Sequence, residues 1–334
     1  MKIIVRSPNW VGDAIMCLPA LQSIKENFPR AEIWIAAQNW VKEIFYNLDY
    51  ITGIVPLPNI TSFRIMLNSA KKIRRMQFDV GFLLPNSFAS AFLFYLARIP
   101  QRWGYARDGR QFLLSRAVSI KKSDKVKHQV VYYLDLIKSL GLKVIEPKIF
   151  LKLTSTEKGW AENKLKSLNI SSQGPIIGIH PGSFYGPAKR WITEKYASLA
   201  SEFQRKLGAT VIIFGTKEEI SLAEEISSKM SFSPYIFTGQ TSLRQLIALI
   251  DKCDLFLTND SGPMHIANAL GIPVAAIFGP TNPHKTAPFH PPSVVIYKAP
   301  PCGPCQYREC PTDHQCMKAI QVEEVFEACK KLIQ

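Results

Sequence analysis

The sequence predicts an α/β protein built from two doubly wound parallel sheets, and three observations carry that reading. Short, continuously apolar runs alternate with segments of helical periodicity along the whole chain, the pattern of strands buried on both faces beneath crossover helices. The alternation comes in two series, separated by a transitional stretch over 141–175. And 334 residues are too many for one ordinary core but suit two domains of about 150 residues each.

In the first series KIIVRS, EIWIAA, ITGIVPLP and DVGFLLP read as strands, and 14–28, 40–47, 62–76 and 87–97 as helices. Pro19 lies within the first helical pattern and is expected to kink it. The transition holds KVIEPKIFLKL and a helix at 156–168. In the second series PIIGIHPG, TVIIFGT, YIFTG, CDLFLTND and PVAAIFGP are the strands, with helices near 193–207, 217–230, 242–251 and 261–271. The expected domains are 1–155 and 156–334, with the last helix, 322–333, packing back onto the first domain. No repeat of fixed period and no low-complexity tract interrupts the pattern.

Bulk composition narrows the function. With 47% hydrophobic and 20% charged residues the chain is an ordinary globular one. Arg6, Asn9 and Asp13 interrupt the apolar start, against a signal peptide, and no apolar run reaches a spanning length of about 18 residues. A cytoplasmic protein is expected. The net charge of +15 predicts attraction to polyanions. Much of it lies in the first half: Lys71, Lys72, Arg74 and Arg75, then Arg102, Arg107, Arg110 and Arg116, then Lys121, Lys122, Lys125 and Lys127. No RNA-binding or helix-turn-helix signature accompanies it, so anionic lipid or phosphate ranks above nucleic acid.

Ligands of doubly wound sheets bind at the carboxyl ends of strands, and two such edges make a cleft between domains the default site. Four stretches fall at informative places. In LFLTNDSGPMHIANALG a strand ends near Leu257 and a helix starts near Ser261 or Gly262, aiming backbone N–H groups and the positive helix end at whatever lies above the sheet. Capping by Asp260 or Ser261 accounts for one polar residue there, not for the whole group. HPGSFYGPAKRW follows another strand and joins turn residues to Lys189 and Arg190, a diphosphate clamp or an ordinary surface loop; it is not a Walker motif. NWVGDAIMCLP places Asp13 at the first strand–helix junction, as an N-cap or a catalytic carboxylate. Gly12 stands alone, without the G-x-G-x-x-G of a hydride-transfer enzyme. CGPCQYRECPTDHQC gathers Cys302, Cys305, Cys310 and Cys316 with His314; it reads as a loop packed by reduced thiols or as a structural zinc site.

Taken together, NWVGDAIMCLPAL, AKRW, TNDSGPMHIANALGIPVAAIFGPTNP and the cysteine-bearing segment make the chain resemble glycosyltransferase family 9, the ADP-heptose–lipopolysaccharide heptosyltransferases, over almost its whole length. The resemblance implies the GT-B fold, with two Rossmann-like domains facing each other across a cleft, the first for the acceptor and the second for the ADP-sugar. It implies a metal-independent inverting transfer that needs no cofactor, and no Asp-x-Asp occurs to hold a metal. It makes Asp13 the candidate general base and gives the donor diphosphate to Lys189, with Ser183 nearby. Asp260 would face the heptose; Ser261, Gly262 and His265 would line the diphosphate end. Gly239 and Thr241 would border the adenine, and Glu218, or its neighbour Glu219, the ribose. The cysteine segment points to transfer onto the first heptose of the inner core. The implied partners are ADP-heptose, a lipid-linked lipopolysaccharide core acceptor and the anionic cytoplasmic face of the inner membrane. Alternatives are transfer onto another core position, or binding of a nucleotide sugar without turnover.

Overall fold

The computed structural model describes residues 1–120, 127–170 and 174–333. Lys121, Lys122 and Lys125 of the basic group lie outside them. The chain divides into two compact units, Met1–Lys152 and Leu153–Gln334. The division falls just ahead of the helix Ser155–Ser167, which opens the second unit with a capping box between Thr154 and Glu157.

The first unit is a six-stranded parallel sheet of β1 (Lys2–Arg6), β2 (Glu32–Gln38), β3 (Gly53–Leu57), β4 (Val80–Leu83), β5 (Gln101–Tyr105) and β6 (Arg116–Val118), in the order β3-β2-β1-β4-β5-β6. The second repeats that plan with β7 (Ile176–His180), β8 (Thr210–Ile213), β9 (Tyr235–Ile236), β10 (Leu255–Asn259), β11 (Val274–Phe278) and β12 (Ser293–Tyr297), in the order β12-β11-β10-β7-β8-β9. Each sheet therefore reverses its winding once, at β1/β4 and at β7/β10, and a crevice opens at such a switch point between the loops that leave the two central strands. All five residues of β10 and of β11 are buried, because helices cover both faces.

The expected helix 14–28 is two helices, Val11–Met16 and Leu18–Asn27, broken at Cys17. Pro19 falls at the second position of the latter, where its missing N–H costs no intrahelical bond. β5, β6 and β12 were not expected from the pattern. The last helix, Val322–Ile333, belongs to the second unit. It contributes Val325, Phe326 and Cys329 to the second unit's core, and Phe326 stacks on Phe203 with centroids 5.6 Å apart. Its apolar stripe matches the one left on helix Thr193–Leu207, and burial follows.

Candidate active site

The register of the second sheet fixes the site. His180 of β7 pairs with Thr258 of β10, so the loop after β7 and the turn after β10 leave the sheet side by side. The polar run Thr258–Ser261 then divides its tasks. Asn259 is fully buried; its Oδ1 accepts from the Trp191 N–H (3.2 Å) and the Tyr196 hydroxyl (2.9 Å), and its Nδ2 donates to the carbonyls of Pro181 (2.6 Å) and Gly182 (3.2 Å). One amide thus pins both ends of the 181–190 loop. Local sequence could not reveal this, since the four bonds span between 63 and 78 residues.

Asp260 and Lys189 meet. Lys189 Nζ lies 2.6 Å from Asp260 Oδ2, and the Thr281 hydroxyl donates to that same oxygen at 2.7 Å. The side chains are 13% and 6% exposed, so the pair is largely screened from water. Lys189 also lies 4.8 Å from the centre of the Tyr185 ring. A lysine held this way is already half-neutralised before any anion arrives, and the carboxylate is fixed by two donors.

Ser261 holds the N-cap position of helix Gly262–Ala269 but makes no side-chain cap. Its hydroxyl turns to Thr258 Oγ1 (3.0 Å) and His180 Nδ1 (3.4 Å). Capping by Ser261 or Asp260 is therefore not what the polar run provides. The positive helix end is thus not capped by the Ser261 side chain, and it carries Pro263 in its first turn and His265 buried one turn in.

The sequence left Glu218 and Glu219 interchangeable; the structure separates them. Glu219 is buried and completes a capping box with Thr216, and its Oε2 lies 3.7 Å from His180 Nε2. Burial nonetheless holds the His180 imidazole below its ordinary pKa, against the pull of that carboxylate, so the ring is neutral near pH 7. Glu218 is exposed, with its carboxyl lowered by its own backbone N–H and by the Thr216 hydroxyl. It lines a cavity of about 620 Å³ together with Ser183, Tyr185, Arg190, Thr216, Tyr307 and Arg308. Of the expected residues, Ser183 and Glu218 share this cavity, and Lys189 adjoins it through Tyr185. Gly239 lies just beyond β9, where φ of +73° and a Cβ position only 3.0 Å from Ile220 Cδ1 favour glycine. Thr241 follows it, immediately before the capped helix Leu243–Ile250.

The cysteine segment works as a strap over the loop. The Arg308 carbonyl accepts from the Ala188 N–H (3.0 Å), Arg308 Nε donates to the Tyr185 carbonyl (2.6 Å), and Tyr185 Oη donates to the Gln306 carbonyl (2.5 Å). Gly186 lies so close beneath it that a Cβ would sit 2.3 Å from the Arg308 oxygen. His314 Nε2 donates to the Ala188 carbonyl at 2.7 Å, which commits that ring to the strap. Cys302, Cys305, Cys310 and Cys316 surround a void of about 20 Å³ as free thiols. Among the described residues no three His, Cys, Asp or Glu side chains form a group able to hold a metal ion. Tyr307 and Arg308 line the cavity although the sequence around them is distinguished only by its cysteines.

Asp13 belongs to the first unit. It is not an N-cap: Trp10 takes that position, and Asp13 is the third residue of helix Val11–Met16, half-buried. Its charge adds to the effect of burial in raising the Cys17 thiol and the Tyr133 phenol well above their ordinary values. Arg6, buried at the end of β1 and lowered to about 10 by that burial, holds the Asn9 side chain at 2.6 Å in the loop that leads to this helix.

The family model for glycosyltransferase family 9 (heptosyltransferase) matches residues 66–315. Lipooligosaccharide heptosyltransferase 2 of Haemophilus ducreyi is 33% identical across 89% of this chain and 88% of that protein. Lipopolysaccharide heptosyltransferase 2 of Salmonella typhimurium is 31% identical across 86% of each. The solved structure of E. coli ADP-heptose lipopolysaccharide heptosyltransferase II superposes with a TM-score of 0.84 at 28% identity, covering 100% of this chain and 98% of the other. A family 9 glycosyl transferase from Veillonella parvula shares the fold with a TM-score of 0.88 at 20% identity, over 99% of this chain and 97% of that one. The fold is therefore of the GT-B class.

Proposed function

The chain belongs to glycosyltransferase family 9, and from that premise we propose that it transfers heptose from ADP-heptose to the first heptose of a lipopolysaccharide inner core. The observation that carries the reading is the Asp260–Lys189 pair beside a helix N-terminus whose N-cap side chain, Ser261, turns away from it, at the β7/β10 switch point. A nucleotide diphosphate needs fixed positive charge there, and its sugar needs a fixed acceptor of hydroxyl protons.

In this reading the acceptor hydroxyl attacks the anomeric carbon with inversion, its proton passes to Asp13, and the bond to the diphosphate oxygen breaks. Charge grows on the departing ADP. Lys189, Ser261 and the first-turn amides of helix Gly262–Ala269 meet it, with Ser183 and His265 bordering them. One preorganised donor in a dry site is worth about 3–4 kcal/mol in the transition state, so such a set can stabilise the leaving group without a divalent ion. Asp260 orients the heptose and Glu218 takes the ribose, since Glu219 is committed to Thr216 and His180. Gly239 and Thr241 border the adenine. The second unit is then the donor domain and the first the acceptor domain. The enzyme acts at the cytoplasmic face of the inner membrane, where its lipid-linked acceptor resides.

The test is incubation with ADP-heptose and core acceptors bearing no, one or two heptoses, followed by mass spectrometry. A gain of one heptose on the one-heptose acceptor is expected. Preference for another acceptor corrects the position of transfer, and ADP-heptose binding without a product overturns the enzymatic reading.

A further inference from the structure

We propose that the outer face of helices Phe63–Arg75 and Phe88–Leu96, in the first unit, docks on an anionic lipid bilayer, with aromatic rings seated among the head groups and flanking cations drawing it there. This deepens the reading of a lipid-linked acceptor and rests on it for its purpose.

Helix Phe88–Leu96 buries Ser90, Ala91, Leu93 and Phe94 against the sheet. Its opposite face should then be polar, yet that face carries Phe88, Ala89, Phe92 and Tyr95. Phe88 is 41% exposed and Tyr95 50%. The rings extend onto neighbouring elements without a break. Phe92 stacks on Phe63 (6.4 Å), Phe88 (5.8 Å) and Tyr95 (6.5 Å), and Phe88 meets Phe112 at 6.0 Å. Phe63 is 59% and Phe112 70% exposed. A connected apolar patch of this kind on a soluble surface marks an interaction site.

Charge identifies the partner. On helix Phe63–Arg75, Phe63, Leu67, Lys71 and Arg74 follow a spacing of four, four and three, so they share one stripe. The rings thus continue into cations along the helix. At the far end Arg102 Cζ lies 5.6 Å from the Tyr95 ring. Residues 50–107 hold eight Lys and Arg against a single acid, Asp79, whose carboxylate already accepts from the Lys2 backbone N–H at 2.7 Å. A second copy of this chain meeting the patch across a two-fold axis would set the same cations against each other. An anionic bilayer satisfies both halves at once: its interface accommodates Tyr and Phe rings, and its surface potential attracts Lys and Arg.

Flotation of the full chain with vesicles of phosphatidylglycerol and phosphatidylcholine, against phosphatidylcholine alone, tests this. The wild type is expected to float with the anionic vesicles only. Lys71→Gln with Arg74→Gln should weaken binding about fivefold per charge at low ionic strength, with the difference shrinking as salt screens it. Phe88→Ser with Phe112→Ser should abolish the binding that survives high salt, and Phe112→Ser alone, at the most exposed ring, keeps the test readable if the double variant misfolds. A wild type that does not float, ring variants that float as it does, or a wild-type dimer that these variants dissociate would each overturn the proposal. Transfer to a deacylated, water-soluble acceptor reports on the enzymatic reading alone. Its loss in the wild type with vesicle binding intact would overturn that reading and support docking independently.

Discussion

Replacing Lys189 by Ala removes one side of a pair held at 2.6 Å, with the two side chains only 13% and 6% exposed. Breaking such a pair from one side costs about 3–5 kcal/mol, because the remaining charge is left buried. The Thr281 hydroxyl stays on the same Asp260 oxygen at 2.7 Å, which favours the lower end, about 3 kcal/mol. For a unit of this size that corresponds to a melting point lowered by about 6–12 °C. Asp260→Asn in the same chain removes the stranded charge and should recover most of the loss, a coupling of about 2–3 kcal/mol in a double-mutant cycle. The pair makes a sharper demand on binding. Lys189 is engaged by Asp260 before ADP arrives, so Asp260→Asn alone should tighten ADP while slowing transfer, and Lys189→Ala should weaken ADP about tenfold to a hundredfold, the worth of a charge-assisted hydrogen bond. Circular dichroism melts and calorimetric titration with ADP measure both. Unchanged melting and unchanged ADP affinity in Lys189→Ala would refute the reasoning, since a buried pair that also meets a diphosphate cannot be removed silently.

Three further outcomes are expected. Asp13→Asn should lower turnover by about 10²–10⁴-fold, the usual worth of a general base, with the ADP-heptose dissociation constant unchanged; near-normal turnover would remove Asp13 from the chemistry. Arg244 hydrogen-bonds Glu157 at 2.6 and 2.8 Å and, with smaller help from the Thr154 backbone N–H and hydroxyl, holds that carboxyl down from the ordinary 4.5 to about 2. A depressed carboxyl contributes stability that is complete above its unfolded value and lost as pH falls through the folded one. The stability gap between wild type and Arg244→Ala should therefore be full near pH 7 and narrow as pH falls from about 4.5 toward about 2; urea melts that keep a constant gap across that window would contradict it. Finally, EDTA should leave the transfer rate intact, and a rate lost to EDTA and restored by magnesium would replace the lysine-and-helix account of leaving-group stabilisation.

Much of the plan was legible because central parallel strands are written as uninterrupted apolar runs. β7 and β10 stand out in IIGIH and LFLTN, and with them the loops that a switch point must place together. Edges are harder to read. β6 is three residues of RAV, and β5 carries Gln and Arg because Arg102 reaches back to the Leu113 carbonyl at 2.6 Å, so neither shows a buried run. β12 is apolar, but it lies between Pro-rich stretches that resemble loop. Asp260 and Lys189 were nameable singly, and their pairing across 71 residues was not. Glu218 and Glu219 are adjacent and chemically identical; only the turn that buries one and exposes the other separates them. The last helix has an amphipathic stripe whose partner no periodicity names.

The strap also sets a timetable. The loop after β7 is pinned by Asn259 and then clasped by Arg308, and Arg308 follows Tyr185 by 123 residues. At the pace of translation, about 5–20 residues per second, the clasp leaves the ribosome roughly 6–25 s after the loop it closes. The lysine and tyrosine of that loop are thus made early and ordered late. A nascent second unit holds an unfinished binding face until nearly the whole chain has been synthesised.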